Sequence, residues 1–169
     1  SNKIKIFFLS VCSDFGEKIC NNLNKKNNIL FNKFHQRKIQ KKIDLPIPFY
    51  RKNFLYKEDV KKYKKIICKP LNGSGSNNIS LIKSLSKNII KKGYLFEEFI
   101  EGKEYNIDGF YFEKKFYLYG IFEKKKIYKS YSVSYLMKSC SLSKKKIDKI
   151  IDNLNSFFKA IKYPNGPIH

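Results

Sequence analysis

The sequence predicts an α+β fold, and three observations carry that prediction. Short β-branched and aromatic runs recur through the middle of the chain. A Gly-Ser loop separates two of them, and the chain closes on one long amphipathic stretch. With 42% hydrophobic and 16% aromatic residues, the 169-residue chain has the composition of a folded domain rather than a disordered one.

The elements follow in order. Ile4-Lys-Ile-Phe-Phe-Leu9 reads as a buried strand. Asp14 with Glu17 three residues on offers a capping box for a helix over 15–23. Asn21–Asn28 breaks that pattern, and Asn32 is a plausible N-cap for a basic helix over 33–43. Asp44-Leu-Pro-Ile-Pro48 must end it, because two prolines remove donors and favour extended backbone. A short polar helix is expected over 57–65, starting near Leu55, then a strand over 66–69 and a returning strand over 79–82. Residues 84–92 read as a short helix. From Gly93 the texture is strongly β, and 94–100, 104–111 and 115–121 are predicted to form an antiparallel meander, with a further strand over 126–135. Residues 141–162 read as the longest helix, with Ile147, Ile150, Ile151, Leu154, Phe157, Phe158 and Ile161 on one face. Pro164-Asn-Gly-Pro167 reads as a turn.

The net charge of +22 invites a nucleic-acid or membrane reading. Against it, the basic residues are almost all Lys, with Arg only at 37 and 51, and they are scattered rather than gathered in a stripe. Specific nucleic-acid sites favour the arginine fork. One alanine, Ala160, among many Lys, Asn, Ile, Phe and Tyr residues points to a codon bias that would colour any protein. A basic nucleic-acid-binding module is kept as the alternative function. Cys12, Cys20, Cys68 and Cys140 have no metal-ligand spacing among themselves or with His35 and His169, and read as reduced thiols of a cytoplasmic protein. No apolar run is long enough to span a bilayer.

Two segments carry chemistry. Lys69 ends an apolar strand, where burial would ordinarily exclude a charge. Pro70-Leu-Asn follows, then Gly73-Ser74-Gly75-Ser76, whose glycines let backbone N–H groups approach an anion and whose hydroxyls add donors. The loop lacks the Gly-Lys-Ser/Thr of a Walker loop and taken alone is equally a hairpin turn. The second segment is Phe96-Glu97-Glu98-Phe99-Ile100-Glu101-Gly102-Lys103-Glu104. Four of the chain's 14 acidic residues fall within these eight positions from Glu97, against the compositional bias. A carboxylate and main-chain atoms at a strand end can bond an adenine, and a later carboxylate can accept from ribose hydroxyls.

The order of these pieces resembles the ATP-grasp superfamily, in the style of the carbamoyl-phosphate-synthase and biotin-carboxylase-like carboxylate–amine ligases. The resemblance covers nearly the whole chain. It runs through Asn32-Lys-Phe-His-Gln-Arg37, Leu45-Pro-Ile-Pro48, Ile67-Cys-Lys-Pro-Leu-Asn-Gly-Ser-Gly-Ser76, Phe96–Glu104 and Asn165-Gly-Pro-Ile-His169. It implies an ATP-grasp body over 32–169, two α+β lobes clamping ATP, with the small nucleotide-clamping lobe at about 48–96. Residues 1–31 would be the tail of a Rossmann-like domain before it. Lys33 and Lys69 would bind ATP phosphates, and Gly73, Ser74, Gly75 and Ser76 would close over them. Glu97 would meet the adenine amino group. Glu98, Phe99 and Ile100 would line the ring, Glu98 and Ile100 through main-chain atoms, and Glu104 would hold the ribose. The partners implied are ATP and a small carboxylate, activated as an acylphosphate for attack by an amine or similar nucleophile. No specific nucleic acid and no membrane partner is implied. Mg²⁺ is implied too, with its ligands expected past His169, so the chain by itself is expected to be inactive. A non-catalytic relative that keeps only the fold is the third reading.

Overall fold

The computed structural model describes residues 32–72, 78–125, 136–139, 141–163 and 165–168. The strand expected over 4–9, the helix over 15–23, the Gly73–Ser76 loop and the strand over 126–135 lie outside these residues.

Helix α1, Lys33–Lys42, starts where Asn32 was expected to cap it: its Oδ1 accepts from the backbone N–H groups of Phe34 and His35, both at 3.1 Å. Lys41 and Lys42 in the last turn complement the helix dipole. Strand β1, Tyr50–Leu55, follows the proline segment and leads into α2, Lys57–Tyr63. The Tyr56 N–H donates to Asp59 Oδ2 at 3.1 Å, and Asp59 also receives the Arg51 guanidinium at 2.8 and 3.2 Å. Those bonds account for a buried carboxylate at the helix start.

Strands β2, Ile66–Pro70, β3, Ser80–Ile82, and β4, Ile89–Glu98, complete a four-stranded antiparallel sheet in the order β1-β4-β2-β3. The strand over 79–82 that the sequence predicts is thus β3. The helix expected over 84–92 does not form: β4 begins at Ile89, paired with Leu55. Two adjacent β-branched residues, Ile89 and Ile90, suit a partner strand better than a helix. Asn88 instead accepts from Lys57 N–H at 3.0 Å, satisfying a donor at the start of α2. A bulge between Lys52 and Phe54 lets β4 run past β1. Asn53 takes φ +67° there, and its Oδ1 accepts from Gly93 N–H, itself at φ +80°.

The second sheet is built from β5, Glu104–Phe112, β6, Lys115–Lys125, β7, Leu136–Ser139, and β8, Gly166–Ile168, in the order β7-β6-β5-β8, again antiparallel. The predicted meander is therefore split. The 104–112 and 115–125 strands do form a hairpin, but the 89–98 strand belongs to the other sheet, because β1 and β2 cover both of its edges. The expected turn at 164–167 is in part strand β8. Pro167 is tolerated because β8 lies on the sheet edge. Between β7 and β8 runs α3, Lys144–Ala160, the long helix the apolar spacing predicts. Its Ile151, Leu154, Phe157 and Phe158, with Ile161 just beyond, pack on Tyr111 and Phe116, which are paired across β5 and β6. Asp148 and Asp152 are on its exposed side.

Each sheet has its own core. Leu55, Val60, Ile66, Cys68 and Phe96 form the first, between sheet and α2; the second lies between the other sheet and α3. Helix α1 meets the first sheet on the face opposite its core and also packs against the second core. Phe34 packs edge-on against Tyr50 of β1 at 5.9 Å, and Ile39 and Ile43, with Leu45 after the helix, pack against the second core.

One glycine is demanded by close approach. Gly109 of β5 lies opposite a bulge at Tyr119 of β6, and a Cβ there would lie 2.3 Å from Phe116 Cζ and 2.4 Å from the Tyr117 carbonyl oxygen. A backbone oxygen cannot swing aside. Gly109→Ala is expected to destabilise by about 1–3 kcal/mol in urea unfolding, and an unchanged midpoint would rule out this packing.

Candidate functional site

In the first sheet, side chains alternate between two faces. Cys68 and Phe96, opposite one another in register, point into the apolar core beneath α2. Burial raises the Cys68 thiol pKa above its ordinary value, outweighing Lys91 and Ser80, which lower it. The next residue along each strand turns to the other face, so Lys69 of β2 and Glu97 of β4 share the side that α1 covers.

There the Glu97 carboxylate, 3% exposed, is bound by two cations. Lys69 Nζ contacts Oε2. Arg37, one turn into α1, donates Nε–H to Oε1 at 2.5 Å and reaches Oε2 with Nη2 at 3.4 Å. Its remaining arm, Nη1, donates to Gln40 Oε1 at 2.6 Å. Burial by itself would push the Glu97 carboxyl up. The Arg37 hydrogen bond and the Lys69 charge overcome that and hold it below the ordinary carboxylate range. Among the described residues no buried side-chain nitrogen or oxygen lacks a hydrogen-bond partner.

The start of α1 is tied to the same place. Lys33 N–H donates to the Leu71 carbonyl at 2.9 Å, and Asn32 Nδ2 donates to Asn72 Oδ1 at 3.2 Å. The first turn of α1 thus abuts the segment leading into Gly73–Ser76. The structure brings the Lys69 and Glu97 side chains together, and it ties the Lys33 backbone to Leu71, two residues past Lys69.

The hinge residues behave differently. Glu98 exchanges backbone contact with the β1 approach: its N–H donates to the Phe49 carbonyl at 3.0 Å, while its Oε2 accepts from Phe49 N–H at 3.4 Å. Phe99 N–H donates to the Lys65 carbonyl at 2.9 Å. Ile100 is exposed just past the end of β4. Glu104 opens β5 in the other sheet, where its half-exposed carboxylate accepts from Lys124 Nζ at 3.0 Å.

Sequence reasoning missed Arg37. A signal was there: it is one of two arginines in a lysine-rich chain and stands four residues after Lys33, on the same side of the helix. Among the described residues no group of three or more His, Cys, Asp or Glu converges on a metal position. None of the described helices is long and apolar enough to cross a membrane.

A family model of the ATP-grasp domain matches residues 76–169, more than half of the chain. No curated protein matches the sequence. Among solved structures, the L-amino acid ligase from Bacillus licheniformis is 17% identical with a TM-score of 0.57, covering 80% of this chain and 34% of that one. The D-alanine–D-alanine ligase from Bacillus anthracis is 15% identical with a TM-score of 0.56, covering 79% of this chain and 49% of that one. The N5-carboxyaminoimidazole ribonucleotide synthetase from Thermotoga maritima is 21% identical, also at 0.56, covering 79% and 35%. At such identities the likeness shows the fold, and the chain spans less than half the length of these three structures. The two sheets with their helices, and the match over residues 76–169, place this chain in the ATP-grasp family.

Proposed function

We propose that the chain is the ATP-binding part of an ATP-dependent ligase that activates a carboxylate as an acylphosphate for an amine or similar nucleophile. The observation that carries this is the Lys69–Glu97–Arg37 cluster, set on the sheet face beneath α1 and beside the start of the glycine-serine loop. An ionised carboxylate accepts hydrogen bonds and donates none, so Glu97 suits the amino group of adenine. Lys69 and Lys33 supply positive charge for the phosphates, Gly73–Ser76 the loop over them, and Glu104 an acceptor for ribose hydroxyls. Glu98, Phe99 and Ile100 form the strand-end segment against the base. Residues 48–96 serve as the small clamping lobe within a body over 32–169, and 1–31 as the end of the preceding domain.

In the reaction, a substrate carboxylate oxygen attacks the γ-phosphorus and ADP leaves. The nucleophile then attacks the acyl carbon and phosphate leaves. Electrostatic stabilisation and positioning dominate such a transfer. Mg²⁺ ordinarily accompanies ATP, held by one or two carboxylates and the phosphates; among the described residues no group of three or more such ligands converges.

Calorimetric titration with ATP and a non-hydrolysable analogue tests the reading. Lys69→Ala is expected to weaken binding about tenfold or more, the worth of a charge-assisted hydrogen bond. Failure of the folded wild type to bind, or indifference to Lys69→Ala, would sink the proposal.

A further inference from the structure

Two cations on one buried carboxylate is more than an ion pair needs. Arg37 and Lys69 are 21% and 17% exposed, Glu97 only 3%, so these three side chains sum to one net positive charge close to the protein interior. A single cation would neutralise Glu97 at lower desolvation cost. The two cations also differ in how they are held. Arg37 is fixed by all three nitrogens, two to Glu97 and one to Gln40, and comes from a capped helix. Lys69 holds Glu97 by one compact ammonium on a flexible stem at the end of β2, next to the loop.

This division has a chemical consequence that rests on the proposed ATP site. A phosphate group bound there competes with Glu97 for Lys69. Were Lys69 the only cation present, its departure would leave a buried, unpaired carboxylate, which takes up a proton rather than stay charged. A protonated carboxyl can donate as well as accept. It would then pair with the 6-oxo group of guanine as well as with the 6-amino group of adenine, and discrimination would be lost.

We propose that Arg37 is the positioning residue that keeps Glu97 an acceptor-only group while Lys69 serves the phosphates, and so sets the preference for adenine over guanine nucleotides. Its planar fork, bonded to both carboxylate oxygens, fixes the plane of the carboxylate.

The test is calorimetry on the intact protein with ATP and GTP, comparing wild type with Arg37→Met, Arg37→Gln, Arg37→Lys and Glu97→Gln, each checked for folding by circular dichroism. For Arg37→Met the ATP-to-GTP affinity ratio is expected to fall about tenfold or more, the worth of a hydrogen bond to a charged group. Arg37→Lys, which restores the charge, is expected to recover most of the ratio. A residue that only braces the fold would weaken both nucleotides alike and leave the ratio where it was; that result overturns the inference, as does a ratio that Arg37→Lys fails to recover. Should Arg37→Met not fold, Arg37→Gln, of similar length and neutral, decides the matter in the same way. Glu97→Gln separates the two levels. If it leaves the ratio unchanged, the reading of Glu97 as the base acceptor fails. If it collapses the ratio while the neutral Arg37 variants do not, only the role of Arg37 falls.

Discussion

Glu97→Ala is expected to destabilise the protein by about 3 kcal/mol or more at neutral pH, because it removes the anion from between two mostly buried cations. The cost is not the lost attraction alone. Arg37 Nε–H and the Lys69 ammonium would be left desolvated in a site shaped for a carboxylate, with only Gln40 still accepting from Arg37. Their residual exposure lets water compensate part of this, which places the effect near the lower end of the range for broken buried pairs. The loss should depend on pH in a definite direction. The folded-state Glu97 carboxyl is held below its ordinary range, so its contribution is fully present above that range and disappears as pH falls through the folded-state value. The gap between wild type and variant should therefore be wide at neutral pH, begin to narrow below about pH 4 and close only as pH falls through the lower folded-state value. Urea unfolding across that interval measures it. A gap that widens in acid, or a neutral-pH difference under about 0.5 kcal/mol, the size of an ordinary surface substitution, would contradict the geometry.

Phe158→Ala is expected to cost about 3–5 kcal/mol, the range for deleting a buried aromatic ring. The Phe158 ring lies at the centre of the second core, 5.0 Å from the Tyr111 ring, 5.1 Å from Tyr163, 5.9 Å from Phe157 and 6.1 Å from Phe116. These partners come from α3, β5, β6 and the segment after α3, and rigid rings on several sides cannot collapse into the space a lost phenyl leaves. Leu at this position should be much milder, since it refills part of the volume. Thermal and urea denaturation of the two variants side by side would check this. Equal, small losses for Ala and Leu would show that the ring is not central to the packing.

How much of this was legible in the sequence depended on whether the signal was local. The Asn32 cap, the proline stop after α1 and the apolar stripe of α3 are written in neighbouring residues, and the structure has them within a few positions. The 84–92 segment went the other way. Its Ser, Lys and Asn content permits a helix, but Ile89 and Ile90 find β1 as a partner, and pairing across some thirty residues is not visible in a short window. The same blindness misassigned the strand ending at Glu98 to the later hairpin. For the site, Lys69 announced itself as a charge closing an apolar strand, and Glu97 as an acid where acids are scarce. Arg37 offered only its rarity and its spacing from Lys33, because its carboxylate partner is not on its own helix. Its reason lies sixty residues away in β4, and only folding makes that distance a hydrogen bond.

Helix α1 has ten residues and none of them is fully buried. Even so, Phe34 and Arg37 belong to the first sheet's surroundings, while Ile39 and Ile43 belong to the second core. A helix of that length and polarity has little stability of its own. It is held by contacts to both halves of the molecule, and it is a physical link between them. Whatever loosens α1 is thus felt at once by the charged cluster under one end and the aromatic core under the other, so an apparently peripheral element transmits strain between a chemical site and a packing site that share no residue.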